Sequence, residues 1–172
     1  MHEAFDPEEL AREARLAQAA EARSRRGDWD QLGAEEASLG STLERLAADG
    51  SAVCLGTVGG CHRGSVAGLG PDHVRLADHG RWCYLRLTAA LTVEAAGSHD
   101  GPRPVRVNRT FVEALSRHVG EAMTLVLADG AAHTGTVTAV GPEIVTLARD
   151  GPAGPLYASS SAVAAALGEG SG

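Results

Sequence analysis

Apolar and polar residues alternate through Ala52–Val58 (AVCLGTV), Ser65–Leu69 (SVAGL) and His73–Asp78 (HVRLAD). That is the period-two pattern of strands with one buried face. The pattern then returns: His62–Leu76 reads HRGSVAGLGPDHVRL and His133–Leu147 reads HTGTVTAVGPEIVTL, at a spacing of 71 residues. Aligned without a gap, Val53–Leu76 and Thr124–Leu147 share eight of 24 positions, among them His62/His133, Gly64/Gly135, Val66/Val137, Gly70/Gly141 and Pro71/Pro142. Chance would supply about one or two at this composition, so the chain carries an internal duplication. Gly59-Gly60 and Asp129-Gly130 predict hairpin turns. Gly64 and Gly135 predict a bend inside the second strand of each copy, and the two Gly-Pro pairs predict the turn before the third.

A helical pattern precedes each copy. Ser41–Leu46 (STLERL) and Thr110–Leu115 (TFVEAL) stand 69 residues apart, and both read as capping boxes, with Ser41 and Glu44 or Thr110 and Glu113 as the reciprocal pair. After the third strand the copies are expected to align Leu85 with Leu156, and Leu91–Val93 with the weaker run Ala162–Leu167. Upstream, Asp6-Pro7-Glu8-Glu9 is a helix start leading into residues 10–26, whose apolar stripe of Leu10, Ala14 and Ala17 is narrow. Such a stripe suits docking on a partner or lying on the protein's own sheet. Gly27 ends this helix, and the following connector holds one large apolar group, Trp29.

The expected organisation is an N-terminal helix and connector (1–40), a first small barrel (41–97), a linker (98–109), a second small barrel (110–168) and a short tail (169–172). The fold class is mainly β with helices. Each barrel has five strands behind a short helix.

A leading helix, a bent five-stranded sheet, "hxGxV" in the second strand and an apolar third strand resemble the Sm-like (SH3-like) small-barrel family, over residues 41–97 and 110–168. The chain is also similar to uncharacterised actinobacterial proteins with an N-terminal helix and such barrels, whose closing strand corresponds here to Tyr84–Val93. In RNA-binding Sm proteins the resemblance implies an Asp six residues and an Asn ten residues after the strand-two Gly. Here those positions hold Gly70 and Val74, and Gly141 and Val145. The family's Arg-Gly turn is likewise replaced, by Arg86-Leu87 and by Tyr157-Ala158. The resemblance therefore implies the fold without the family's base-binding residues.

Composition narrows the picture. Aromatics are 3% of the 172 residues, so the core must be built from small aliphatic side chains, and no large ligand pocket is expected. The net charge of −7 disfavours nucleic acid as a partner, although Arg23, Arg25 and Arg26, and Arg103, Arg106 and Arg109, form local clusters. No run of about 18 apolar residues is present, and the acidic opening MHEAFDPEEL is unlike a signal peptide, so a cytoplasmic location without a membrane partner is expected. Cys54, Cys61 and Cys83 are odd in number and lack CxxC spacing, which suits reduced thiols. Neither a metal site nor a cofactor is expected.

His62 and His133 are the sharpest candidate binding residues, because they hold one position in both copies and alternation turns them to the inward face with Gly64 and Gly135. Arg103, Arg106 and Arg109 are candidate phosphate contacts. No GxSxG, phosphate loop or paired catalytic carboxylates accompany them, so the expected function is a non-enzymatic interaction or adaptor module. Its expected partner is a protein or a second copy, with a nucleic-acid-associated regulator as the alternative.

Overall fold

Eleven strands form one continuous open sheet in the computed structural model, which describes residues 38–98, 104–152 and 154–170. The first repeat contributes helix α1 (Leu39–Ala48) and strands β1 (Ser51–Thr57), β2 (Gly60–Leu69), β3 (His73–Asp78), β4 (Arg81–Arg86) and β5 (Thr92–Ser98). The two-residue β6 (Val105–Arg106) runs parallel to the end of β2. The second repeat contributes α2 (Phe111–Leu115), β7 (Ala122–Leu127), β8 (Ala132–Val140), β9 (Ile144–Ala148), β10 (Leu156–Ser159) and β11 (Val163–Glu169). The expected N-terminal helix lies outside the described residues.

The strand order is β10-β9-β8-β7-β11-β4-β3-β2-β1-β5. Each repeat has the same internal order, its fifth strand returning beside its first, and every pairing along this path is antiparallel. The repeats join where β11 pairs with β4, from Ala165 opposite Leu85 to Glu169 opposite Arg81. This seam is the centre of the sheet.

Why the seam holds is visible in its residues. Strand β4 is buried continuously from Trp82 to Leu85, and β11 from Val163 to Ala166, although sheet side chains alternate between faces. Both faces of both strands are therefore covered. Cys83, Leu85 and Ala165 pack into a core with Leu43, Leu55, Val66, Val74 and Leu76, while Trp82, Tyr84, Val163 and Ala166 pack into a second core with Phe111, Leu115, Leu125, Val137 and Leu147. Each core thus takes side chains from the other repeat. Burying one such aliphatic side chain contributes about 1.5–3 kcal/mol, so the exchange couples the stability of the two halves. Gly168 leaves the space occupied by the Trp82 indole, which a Cβ there would meet.

Gly64 and Gly135 have a shared cause. A Cβ on Gly64 would meet the carbonyl oxygen of Ala77, and one on Gly135 that of Ala148, so at both positions the neighbouring strand passes too close for a side chain. A register shift follows in each copy, between Val66 and Gly68 and between Val137 and Ala139. These irregularities bend β2 and β8.

Three expectations change in detail. Helix α1 begins at Leu39, so Ser41 lies inside it and is not its N-cap, whereas Thr110 and Glu113 do form the capping box of α2. The gap-free alignment also fails in two places. Leu55 faces His62 across one hairpin and Leu125 faces His133 across a turn one residue longer; the β9–β10 loop is two residues longer than β3–β4. Leu85 consequently corresponds to Ala158 and not Leu156, and Arg86 to Ser159. Finally, Cys54 and Cys61, diagonal across β1 and β2 with Cα atoms 6.0 Å apart, are disulfide-bonded, so only Cys83 remains a free thiol.

Candidate functional site

The densest polar constellation joins the repeats beside the seam. Arg86, at the end of β4, donates from Nε to the Val163 carbonyl (3.0 Å), from Nη2 to the Ser160 carbonyl (3.0 Å) and from Nη1 to Asp72 Oδ2 (3.2 Å). Its guanidinium also lies 4.3 Å from the centroid of the Phe111 ring. Asp72 Oδ1 in turn accepts from the Phe111 backbone N–H at the start of α2 (2.7 Å) and bonds His73 Nδ1 (3.1 Å). Ser160 Oγ donates to the Pro142 carbonyl at 2.5 Å. One arginine thus satisfies two carbonyls that precede and begin β11, while one carboxylate of the first repeat holds the helix of the second. Chemically the cluster is a clasp: each polar group is occupied by another part of the same chain.

An aromatic cluster flanks the clasp. His118 is buried, stacks on Trp82 at 4.3 Å between ring centroids, and bonds Glu121 through Nδ1 at 2.8 Å. The Trp82 indole N–H is buried without a hydrogen-bond partner. Beside it a cleft of about 410 Å³ opens along the seam, lined by His62, Trp82, Thr124 and Gly168 with the exposed Arg81–Glu169 pair (3.7 Å).

The sequence-derived candidates take separate places. His62 is inward, as its alternation predicts, and 9% exposed; it contacts Thr57 Oγ1 at 3.3 Å, and burial lowers its pKa from the ordinary histidine value. His133 occupies the equivalent position opposite Leu125, is half-buried, and does not line the seam cleft. Arg106 is exposed on β6 and forms an ion pair with Glu44 of α1. Arg109 is exposed just before α2, its carbonyl oxygen against Gly70, and Arg103 lies outside the described residues. The described arginines of the linker therefore do not converge with the histidines.

Asp72, His73, Arg86 and His118 were not singled out by sequence pattern as site residues. Their one signal is disagreement between the copies: Asp72-His73 stands against Glu143-Ile144, and Arg86 against Ser159. Among the described residues, no group of three or more His, Cys, Asp or Glu side chains is placed to hold a metal ion. No described helix is long and apolar enough to cross a membrane. No family model matches the chain, and no curated protein matches it either.

Proposed function

We propose that this chain is a non-enzymatic interaction module of the cytoplasm, built from two Sm-like small barrels (41–97 and 110–168) packed as a pseudo-dimer. Its binding surfaces are the backbone edges at the two ends of the sheet. The observation that supports this reading is the seam itself: the repeats meet by strand-edge pairing between β4 and β11, and among the described residues the corresponding strands β10 and β5 end the sheet with one side unpaired. Exposed edges carry rows of N–H and C=O groups that recruit another strand. The conspicuous polar residues of the seam, Arg86 and Asp72, serve the contact between repeats.

Nucleic acid fits this surface poorly, because the overall charge is −7 and Arg106 is engaged by Glu44. The deciding experiment immobilises the full chain and compares what it retains from host lysate before and after nuclease treatment, together with its retention of single-stranded RNA across a salt series. The module reading expects proteins retained equally in both lysates and no RNA at low salt. RNA retention that falls steeply as salt rises would replace it with the nucleic-acid reading.

A further inference from the structure

The seam cleft is built by both repeats. Its inner end is apolar: Leu76, Trp82 and Cys83 are buried there, and Leu167 and Gly168 reach it from β11. Equivalent strands are unequally exposed. Ala165 to Gly168 on β11 correspond to Thr92 to Ala95 on β5, through their partners on β7 and β1, yet Ala165 and Ala166 are fully buried whereas Thr92 and Glu94 are exposed. Cys83 corresponds to Leu156, since each faces the same position of its third strand, Leu76 and Leu147. The first repeat thus has the smaller side chain where the cleft ends. The volume of about 410 Å³ suits a small ligand, for which pockets start at about 300 Å³.

One polar side chain stands in the wall with a fixed hydrogen-bonding role. Thr57 Oγ1 donates its single proton to the Gly60 carbonyl at 3.1 Å, so toward His62 Nε2, 3.3 Å away, it can only accept. Nε2 therefore carries the imidazole proton, and in the neutral ring Nδ1 is a bare acceptor. Burial favours that neutral ring by lowering the pKa, and among the described residues Nδ1 has no hydrogen-bond partner. The counterpart of Thr57 in the second repeat is Leu127, which cannot orient His133 in this way. At the rim Arg63 and Arg81 stand against Asp78 and Glu169, so the charges balance and favour no ion.

We infer that this cleft binds a small neutral molecule with an apolar body of aryl size and one hydroxyl or N–H group, which donates to His62 Nδ1. The body lies on Leu76, Cys83, Leu167 and the Trp82 ring. The site is at the seam and not at the free edges of the sheet, so it is distinct from the interaction surfaces proposed above. A ligand without a donor would leave Nδ1 desolvated and unpaired, which lowers affinity. A carboxylate would set acceptors against an acceptor. Trp82, whose buried indole N–H has no hydrogen-bond partner, is the natural reporter of a molecule placed there.

The test uses the full chain in a Trp29→Phe background, labelled for nitrogen NMR, at neutral pH. Three probes share one body: 4-ethylphenol, 4-ethylanisole and the 4-ethylbenzoate anion. The phenol should shift the Trp82 indole N–H and the amides of Thr124 and Gly168, and should saturate in the millimolar range. The anisole, which lacks the donor, should bind roughly fivefold more weakly, and the benzoate should also bind more weakly than the phenol. His62→Phe should abolish the preference for phenol over anisole, its melting temperature being checked first; if that variant does not fold, the three probes on the parent chain decide. Absence of a saturable shift at these groups overturns the proposal. So does an anisole or a benzoate that binds as tightly as the phenol, or a folded His62→Phe that keeps the preference.

Discussion

At Gly64 and Gly135 the missing side chain makes room for a backbone oxygen of the next strand, and this is a reason that both copies keep glycine there. Gly135→Ala should lower unfolding free energy by about 1–3 kcal/mol in urea denaturation, and Gly64→Ala should also destabilise, because the strand must shift to admit a Cβ. His62 behaves differently, since desolvation favours its neutral form and the folded state binds its proton less readily than the unfolded chain. Its effect on stability is therefore absent above the unfolded value near 6.5 and grows as a loss when pH falls below it, down to the lower folded pKa. His62→Gln should flatten the fall in melting temperature between pH 7 and pH 5, as read by calorimetry at each pH. Burial pushes the Cys83 thiol up to about 12, so it should resist alkylation at pH 8 in the native protein and react once unfolded, as mass spectrometry would show. Of these residues, the glycines and the inward direction of His62 were legible in the alternating pattern. The Cys54–Cys61 bond was not, because it depends on which residues become diagonal neighbours once the hairpin register is set.

Among the elements, β4 and β11 depend on the clasp more than their short lengths suggest. Arg86→Ala would leave Asp72 Oδ2 and two carbonyl oxygens beside the core without their donor, and should cost roughly 3 kcal/mol in urea denaturation. Asp72→Asn keeps an acceptor for the Phe111 N–H and should cost about 1 kcal/mol. The strands and turns of each repeat were readable from period-two alternation and the Gly-Pro pairs, and the capping box located α2. The Ser41-x-x-Glu44 pattern sets the start of helix α1 three residues late, because it lies inside the helix instead of capping it. The pairing of β4 with β11 was beyond local pattern altogether. A strand buried on both faces shows an unbroken apolar run, and the short run Trp82–Leu85 is too small to distinguish from an ordinary inward strand. Gap-free alignment then hid the clasp by setting Arg86 beside the wrong partner.

For the molecule as a whole, cores that exchange side chains should not unfold separately. Trp82 of the first repeat sits in the second core, and Val126 and Ala165 of the second sit in the first. In a Trp29→Phe background, Trp82 fluorescence and far-ultraviolet circular dichroism should therefore give coincident urea transitions; two separated transitions would mean that the halves are independent. The unequal exposure of equivalent strands has one more consequence, for how such a chain can change over time. Were two identical chains to meet edge to edge, any substitution on the pairing strand would alter every contact at once. Here the pairing strands are written twice in one polypeptide, so Ala165 and Leu167 can remain apolar inside while Thr92 and Glu94 become polar outside. The inner contact is thereby insulated from selection on the outer one, and the grip of the chain on itself can tighten while its grip on anything else is adjusted freely.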